Sequence, residues 1–452
     1  MSDAETIYAL SSGKGRAGVA VIRLSGPETK PAILKLTGKS LMPVSREAHL
    51  CWFMDPGTDR RLDQGLLLYF PGPKSFTGED VAEFHIHGGR AVVTGFLEAL
   101  SKLPGLRSAM PGEFTRRAFD NGKMDLTAAE GLADLINAET EAQRRQALRL
   151  MEGRLAALYE GWRREIISAM AYFEAEIDFA DEEIPSDVTD RVGPIIAALS
   201  DKIEQHMGDG FKGERIRDGL QVVILGEPNT GKSTLLNLLS RRDVAIVSEI
   251  AGTTRDVLEV HLDINGFPVT VIDTAGIRDS IDVIEAEGIR RAEERAKSAD
   301  IKVILGEAAN WPKIPDRLAA HVDSDTIILL NKADLCKKSE EALLSNPIPC
   351  RAILLISAKY ESGLDAFLEC LTSEVEKSMA LTDVPNLTRI RHREALGEVM
   401  IHLRRFSDSP HKELALMAED LRMAARNLGS ITGRVDVEEI LGAIFSEFCI
   451  GK

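Results

Sequence analysis

The eight residues GEPNTGKS, 226–233, constrain this chain more than any other stretch. They match Gly-x-x-x-x-Gly-Lys-Ser/Thr and stand between an apolar run, QVVIL, and a helix-like run, TLLNLLS. A glycine-rich loop placed there presents backbone N–H groups at a helix N-terminus, the arrangement that cradles phosphates. The strand before it must belong to a largely parallel sheet. Downstream, VTVIDTAG, IKVILGE, TIILLNKAD and AILLISA are short apolar runs, each followed by polar or glycine-rich loops and helical stretches. Residues 217–378 therefore read as a doubly wound α/β domain.

Its loops narrow the ligand. Lys232 is placed for the β/γ oxygens and Ser233 for Mg²⁺. Asp273 of DTAG is placed for the magnesium shell and the Gly276 N–H for the γ-phosphate. In NKAD, 331–334, the Asp334 carboxylate can accept both N1–H and N2–H₂ of guanine. Adenine would leave that carboxylate unpaired, which is costly in a dry pocket. SAK, 357–359, adds a further loop to the base, and AGTTRD, 251–256, holds the first switch position, with Thr254 as second hydroxyl on Mg²⁺. Four motifs in this order specify a GTPase rather than an ATPase. The residues expected around GTP are Asn229, Thr230, Gly231, Lys232, Ser233, Thr234, Ser248, Glu249, Ile250, Ala251, Gly252, Thr253, Thr254, Asp273, Thr274, Ala275, Gly276, Asn331, Lys332, Ala333, Asp334, Ser357, Ala358 and Lys359. Many GTPases orient the attacking water with a Gln after the Asp-x-x-Gly glycine. Here Ile277 stands there, and spacing leaves Asp279, Asp282, Glu285 and Glu287 all open as the substitute.

The α/β domain interrupts a helical one. Before it, Leu148, Met151, Leu155, Leu158, Trp162, Ile166, Met170, Phe173 and Ile177 step by three and four, which predicts one long unbroken amphipathic helix, stopped by Pro185 and followed by another over 188–207. After it, Leu414, Met417, Leu421, Ala424 and Leu428 repeat the pattern. Residues 1–120 are mixed α and β, with strands at 18–26, 65–73 and 80–89 and a helix at 91–100. The expected domains are 1–120, a first helical part 121–216, the nucleotide domain 217–378 and a second helical part 379–452.

Composition bounds the rest. The net charge of −16 requires that any RNA partner be held by a local surface or by a second, more basic protein. The sequence holds no run of about 18 or more apolar residues, the length that spans a membrane, and the start has no signal-peptide pattern, so a cytoplasmic chain without membrane contact is expected. Five scattered cysteines, 51, 336, 350, 370 and 449, suit reduced thiols. His85 and His87 of HIH make only half a metal site. At the C-terminal end, Ile440, Leu441, Ile444, Phe445 and Phe448 space like a last packed helix. Cys449 beside them invites a reading as a reactive thiol, against the competing reading of a buried one.

The motifs FTGEDVAEFHIHGG, PGEFTRRAF, IAGTTRD, DTAGIRD and the terminal FCIGK together resemble the bacterial tRNA-modification GTPase family MnmE (TrmE), along the whole chain. The resemblance implies an N-terminal folate-binding α+β domain that forms a homodimer, a split α-helical domain, and an inserted Ras-like G domain activated by potassium-dependent dimerisation. It implies a flavoprotein partner, MnmG (GidA), which would bring FAD. The joint product would be an aminomethyl or carboxymethylaminomethyl group on C5 of the wobble uridine of certain tRNAs. A tetrahydrofolate derivative, 5-formyl or 5,10-methylene, would supply the carbon. By the same resemblance Asn229, Ser248, Ile250 and Thr253 would ligate K⁺, Glu285 would orient water as the catalytic acid, and Arg23, Glu83, Lys123 and Lys452 would bind folate. The last residues of the tail would reach that folate site. The chain departs from the family pattern at Glu227, Thr230 and Asp279, and at Gly306–Glu307, where a Val-Asp pair is typical; that last position lies outside the expected chemistry.

Overall fold

The computed structural model describes residues 5–178, 188–209, 211–242, 244–246, 259–273, 295, 297, 299–344, 348–379, 385–408, 414–435, 438–446, 448, 450 and 451. They divide into two compact units. One holds Met1–Ala133, Leu150–Met170 and Leu421–Lys452; the other holds Asp134–Arg149 and Ala171–Asp420.

The first unit contains a six-stranded sheet built from β1 (Thr6–Leu10), β2 (Ala17–Ser25), β3 (His49–Met54), β4 (Arg61–Phe70), β5 (Val81–Gly88) and β6 (Leu106–Ser108), in the order β3-β4-β5-β2-β1-β6. Only β1 and β6 run parallel. Alternation sets the two faces of β5. Ala82, Phe84 and Ile86 enter a core shared with Phe53 of β3, Ile33 of the helix Thr29–Thr37 and Phe96 of the helix Arg90–Ser101. Phe53 meets Phe84 and Phe96 edge-on at 5.4 and 5.3 Å, the arrangement aromatic quadrupoles favour. Glu83, His85 and His87 take the opposite face.

The long helix expected across residues 148–177 is in fact two, Glu141–Met151 and Arg154–Asp178. Gly153, at φ +73°, ends the first in the left-handed conformation that glycine adopts without strain. The apolar spacing steps by four across this break, so periodicity alone did not register it. Leu155, Tyr159, Trp162 and Ile166 are buried as the stripe requires. The expectation that Pro185 ends the second helix falls outside the described residues. The next helix is Val188–Met207.

The second unit contains β7 (Leu220–Gly226), β8 (Glu259–Ile264), β9 (Phe267–Asp273), β10 (Ile301–Glu307), β11 (Thr326–Asn331) and β12 (Ala352–Leu355), in the order β12-β11-β10-β7-β9-β8. All neighbours are parallel except the edge strand β8, which joins β9 through a tight turn. Asn265 and Gly266 sit there at φ +53° and +85°, which an Asn-Gly pair tolerates. Ile224, Val271, Val303, Leu329 and Phe367 of the helix Leu364–Met379 lie in one buried core with Leu235 and Leu239 of the helix Lys232–Leu239. Elsewhere in this unit Val188–Met207 packs on the helix Ile390–Asp408, and Phe173 meets Phe406 edge-on at 5.5 Å. Because β7, β11 and β12 are parallel, the loops that follow them emerge at the same end of the sheet, where nucleotide sites of such folds form.

Candidate functional site

The phosphate loop starts where β7 ends. A Cβ on Gly226 would lie 2.6 Å from the Leu305 carbonyl oxygen of β10, so only glycine lets the two backbones approach. A Cβ on Gly231, at φ +101°, would lie 2.4 Å from Asn331 Nδ2. Between them Asn229 also has positive φ, +63°, and its side chain is exposed. Thr230 ties the loop across itself, its Oγ1 donating to the Glu227 carbonyl at 2.8 Å. The buried Lys232 ammonium donates to the carbonyls of Gly226 and Glu227 at 2.8 and 2.9 Å. Ser233 and Thr234 lie in the first turn of the helix Lys232–Leu239, whose N-terminal, positive end meets the loop at Gly231.

Asn331, at the end of β11, joins three motifs. It is 2% exposed; its Nδ2 donates to the Thr230 carbonyl at 2.7 Å and its Oδ1 accepts from the Ala358 N–H at 3.0 Å. The Ala333 N–H donates to the Ile356 carbonyl at 3.1 Å, and Ser357 Oγ donates to Asp334 Oδ1 at 2.5 Å. Phosphate loop, NKAD and SAK are thus one hydrogen-bonded block. Lys332 pairs with Glu307 at the end of β10. Glu307, set outside the chemistry on sequence, therefore touches the nucleotide motifs directly; what could have flagged it is its place at a strand's C-terminal end. Lys359 Nζ lies 5.1 Å from the Tyr360 ring centroid. Asp273 ends β9 opposite Ile224 of β7, beside the phosphate-loop strand. Ser248, Glu249, Ile250, Ala251, Gly252, Thr253, Thr254, Thr274, Ala275, Gly276 and Glu285 lie outside the described residues.

In the first unit, Arg23 and Glu83 are direct cross-strand neighbours, and Arg23 Nε and Nη2 both donate to Glu83 Oε1, at 3.0 and 2.9 Å. The guanidinium carbon lies 5.3 Å from the Phe76 ring centroid and 5.8 Å from that of Phe114. Lys123 is apart from that pair in its bonding, its Nζ donating to the Pro73 carbonyl at 2.8 Å. Arg117 Nη1 and Ser25 Oγ both donate to Glu79 Oε2, at 2.9 and 2.6 Å, which ties FTGED to PGEFTRRAF. Burial pushes the Glu113 carboxyl up, but bonds from the Arg107 guanidinium and the Met110 N–H outweigh it and hold Glu113 below the usual carboxylate range. His85 faces Glu83, whereas His87 Nδ1 bonds Asp63 at 2.8 Å, so the two rings serve different carboxylates.

The tail docks on this unit. Ile450 bridges to Pro111, and Ser11 Oγ donates to the Gly451 carbonyl at 2.8 Å. A Cβ on Gly451, at φ +102°, would lie 2.1 Å from the Leu10 carbonyl oxygen. Leu441, Ile444, Phe445 and Phe448 are buried. Cys449 and Lys452 lie outside the described residues.

A parallel sheet whose strand ends carry a Gly-Lys-Ser phosphate loop bonded to NKAD and SAK loops defines a P-loop GTPase. Two family models cover nearly the whole chain: "GTP-binding protein TrmE N-terminus" over residues 6–123 and "MnmE helical domain" over residues 126–449. Similar proteins include the tRNA modification GTPases MnmE of Parvibaculum lavamentivorans, 53% identical over 99% of this chain and 100% of that one, and of Paramagnetospirillum magneticum, 52% identical with the same coverage. The mitochondrial 5-taurinomethyluridine-[tRNA] synthase subunit GTPB3 of Danio rerio is 45% identical over 99% of this chain and 93% of its own length. The chain belongs to the MnmE family of tRNA modification GTPases. Among the described residues no helix is long and apolar enough to cross a membrane.

Proposed function

We propose that this chain is the GTP-hydrolysing subunit of a cytoplasmic tRNA-modifying complex. With a flavoprotein partner of MnmG type, it adds an aminomethyl or carboxymethylaminomethyl group to C5 of the wobble uridine of certain tRNAs. The observation that carries this reading is the full-length kinship with MnmE proteins, joined to a nucleotide block in which Asn331 links all three base- and phosphate-side loops.

In this reading Asp334, oriented by Ser357, selects guanine. Lys232 and the first turn of Lys232–Leu239 hold the phosphates. Ser233, Thr254 and Asp273 would hold Mg²⁺, which supplies charge neutralisation between the phosphates. Asn229, exposed on a positive-φ loop, suits a ligand for K⁺ shared with Ser248, Ile250 and Thr253, and Glu285 would orient the water that Ile277 cannot. Arg23 and Glu83 would present a guanidinium and a carboxylate to a tetrahydrofolate derivative, and Lys123 and Lys452 would add ammonium groups for its anionic tail. A donor edge and an anionic tail call for that pair of charges. When bound, the folate supplies the one-carbon unit, and FAD enters only through the partner.

A homodimer is supported by Leu50, Trp52 and Leu66, which are 65%, 42% and 39% exposed on the edge hairpin β3–β4. Apolar side chains grouped on an edge are usual at protein contacts. With a net charge of −16, the tRNA is expected to bind mainly through the partner.

The test is reconstitution. The chain, the flavoprotein, GTP, carbon-labelled methylene-tetrahydrofolate and unmodified tRNA should put label on the wobble uridine in potassium, and far less in sodium. Glu285→Ala should bind GTP yet fail to support labelling. Absence of label with the full set, or indifference to the cation, would overturn the corresponding part of the proposal.

A further inference from the structure

Each polar side chain of NKAD is held by a different part of the second unit. Asn331 bonds the phosphate loop and the SAK loop, and Asp334 accepts from Ser357. Lys332 has a holder of its own, for its ammonium donates to the Glu307 carboxylate at the end of β10. Glu307 stands directly opposite Asn331 in the parallel β10–β11 register. Two residues earlier on the same strand, Leu305 stands opposite Gly226, the first residue of the phosphate loop. The carboxylate is thus delivered to the strand end where the phosphate loop and NKAD meet.

The backbone of Lys332 points the same way. It sits at φ +58° and ψ +35°, the left-handed conformation that glycine or asparagine adopts at less cost. Such residues persist where their surroundings over-determine them. Here both chain neighbours are fixed, Asn331 as above and Ala333 by its N–H bond to the Ile356 carbonyl at 3.1 Å. The lysine stem is therefore fixed at both ends, its Cα by the hydrogen-bonded block and its Nζ by Glu307. A free lysine side chain is among the most flexible, and ordering it before nucleotide arrives removes that entropy loss from binding.

We propose, on the reading of this block as a guanine-nucleotide site, that Glu307 is a positioning residue. It acts through Lys332, keeps the lysine stem ordered between the NKAD and phosphate loops, and so slows the release of nucleotide. Asp334, which has its own partner in Ser357, keeps the choice of base. Glu307 thereby sets affinity without setting base specificity.

The experiment compares wild type, Glu307→Gln, Glu307→Asp, Lys332→Met and the double variant Glu307→Gln with Lys332→Met. The readouts are stopped-flow release of a fluorescent GDP analogue and steady-state GTP hydrolysis, with circular dichroism to verify folding. The Glu307 and Lys332 side chains are 33% and 38% exposed, so the effect expected is that of a partly screened ion pair. Glu307→Gln should speed GDP release and raise KM for GTP about three- to fivefold without lowering kcat. Glu307→Asp, which keeps the charge, should stay within about twofold of wild type. In the Lys332→Met background Glu307→Gln should add no further loss, because the two residues act as one unit. The preference for GDP over inosine diphosphate should be the same in wild type and Glu307→Gln. Wild-type release and KM in Glu307→Gln, a loss of equal size with and without Lys332, or an altered base preference would each overturn the positioning role. Failure of the wild type itself to bind GDP would overturn the nucleotide site, and this role with it.

Discussion

Replacing Asn331 with alanine should cost this protein most of its hold on guanine nucleotides. The side chain is 2% exposed and makes one bond to the phosphate loop, 2.7 Å to the Thr230 carbonyl, and one to the SAK loop, 3.0 Å from the Ala358 N–H. Alanine leaves both backbone groups without their partner. Each such loss costs about 1–3 kcal/mol, less where water can enter the gap. Taking the lower part of that range for two groups gives about 3 kcal/mol, or roughly two orders of magnitude in Kd. Asn331→Asp should be nearly as damaging, because it retains the acceptor for Ala358 but sets a carboxylate oxygen against the Thr230 carbonyl. The assay is equilibrium titration with a fluorescent GDP analogue, with circular dichroism to verify that the sheet is intact. A Kd within about threefold of wild type in a folded Asn331→Ala protein would refute the claim that this residue joins the three loops energetically.

Asp334→Asn should move preference from guanosine toward xanthosine nucleotides, because an amide offers a donor where the carboxylate only accepts; competition binding with GDP and xanthosine diphosphate checks this, and retained guanosine preference would reject the base-recognition argument. Gly451→Ala should dislodge the tail, since a Cβ there would lie 2.1 Å from the Leu10 carbonyl oxygen. GTP turnover should survive while tRNA modification falls, and unchanged modification would show that the docked tail is dispensable. His206 gives a pH dependence. Burial, its largest influence, lowers the imidazole from 6.5 to about 4. The unfolded chain therefore takes up a proton that the folded one refuses. Stability is full above about pH 6.5 and declines by about 3 kcal/mol as pH falls toward 4. Urea-unfolding midpoints measured across that window should show the decline, and His206→Gln should flatten it.

The elements legible in the sequence are those whose signal is local. β7, β9, β11 and β12 are apolar runs closed by motif loops, β10 is an apolar run of the same kind, and the alternation along β5 separates Phe84 and Ile86 from Glu83 and His85. β3 went unread because it is an edge strand, with Leu50 and Trp52 exposed, so its alternation carries little apolar contrast. β8 was hidden by reading its neighbourhood as a switch loop, although Asn265–Gly266 carries the standard hairpin signal. Gly153 was passed over because the apolar spacing continues through it. In the nucleotide site the motif residues were legible, whereas Glu307 beside Lys332 was not, since parallel strands bring those positions together from 25 residues apart. Arg23 and Glu83 entered through family resemblance; that they bond to each other depends on the β2–β5 register, which no local pattern states.

The central claim is that this GTPase acts on the wobble uridine of tRNA. Mass-spectrometric nucleoside analysis of tRNA from cells lacking the gene tests it most directly. The account predicts loss of the aminomethyl or carboxymethylaminomethyl uridine at the wobble position, restored by the wild-type gene and not by the Asn331→Ala variant. A normal set of C5-modified uridines in the deletion strain would contradict it.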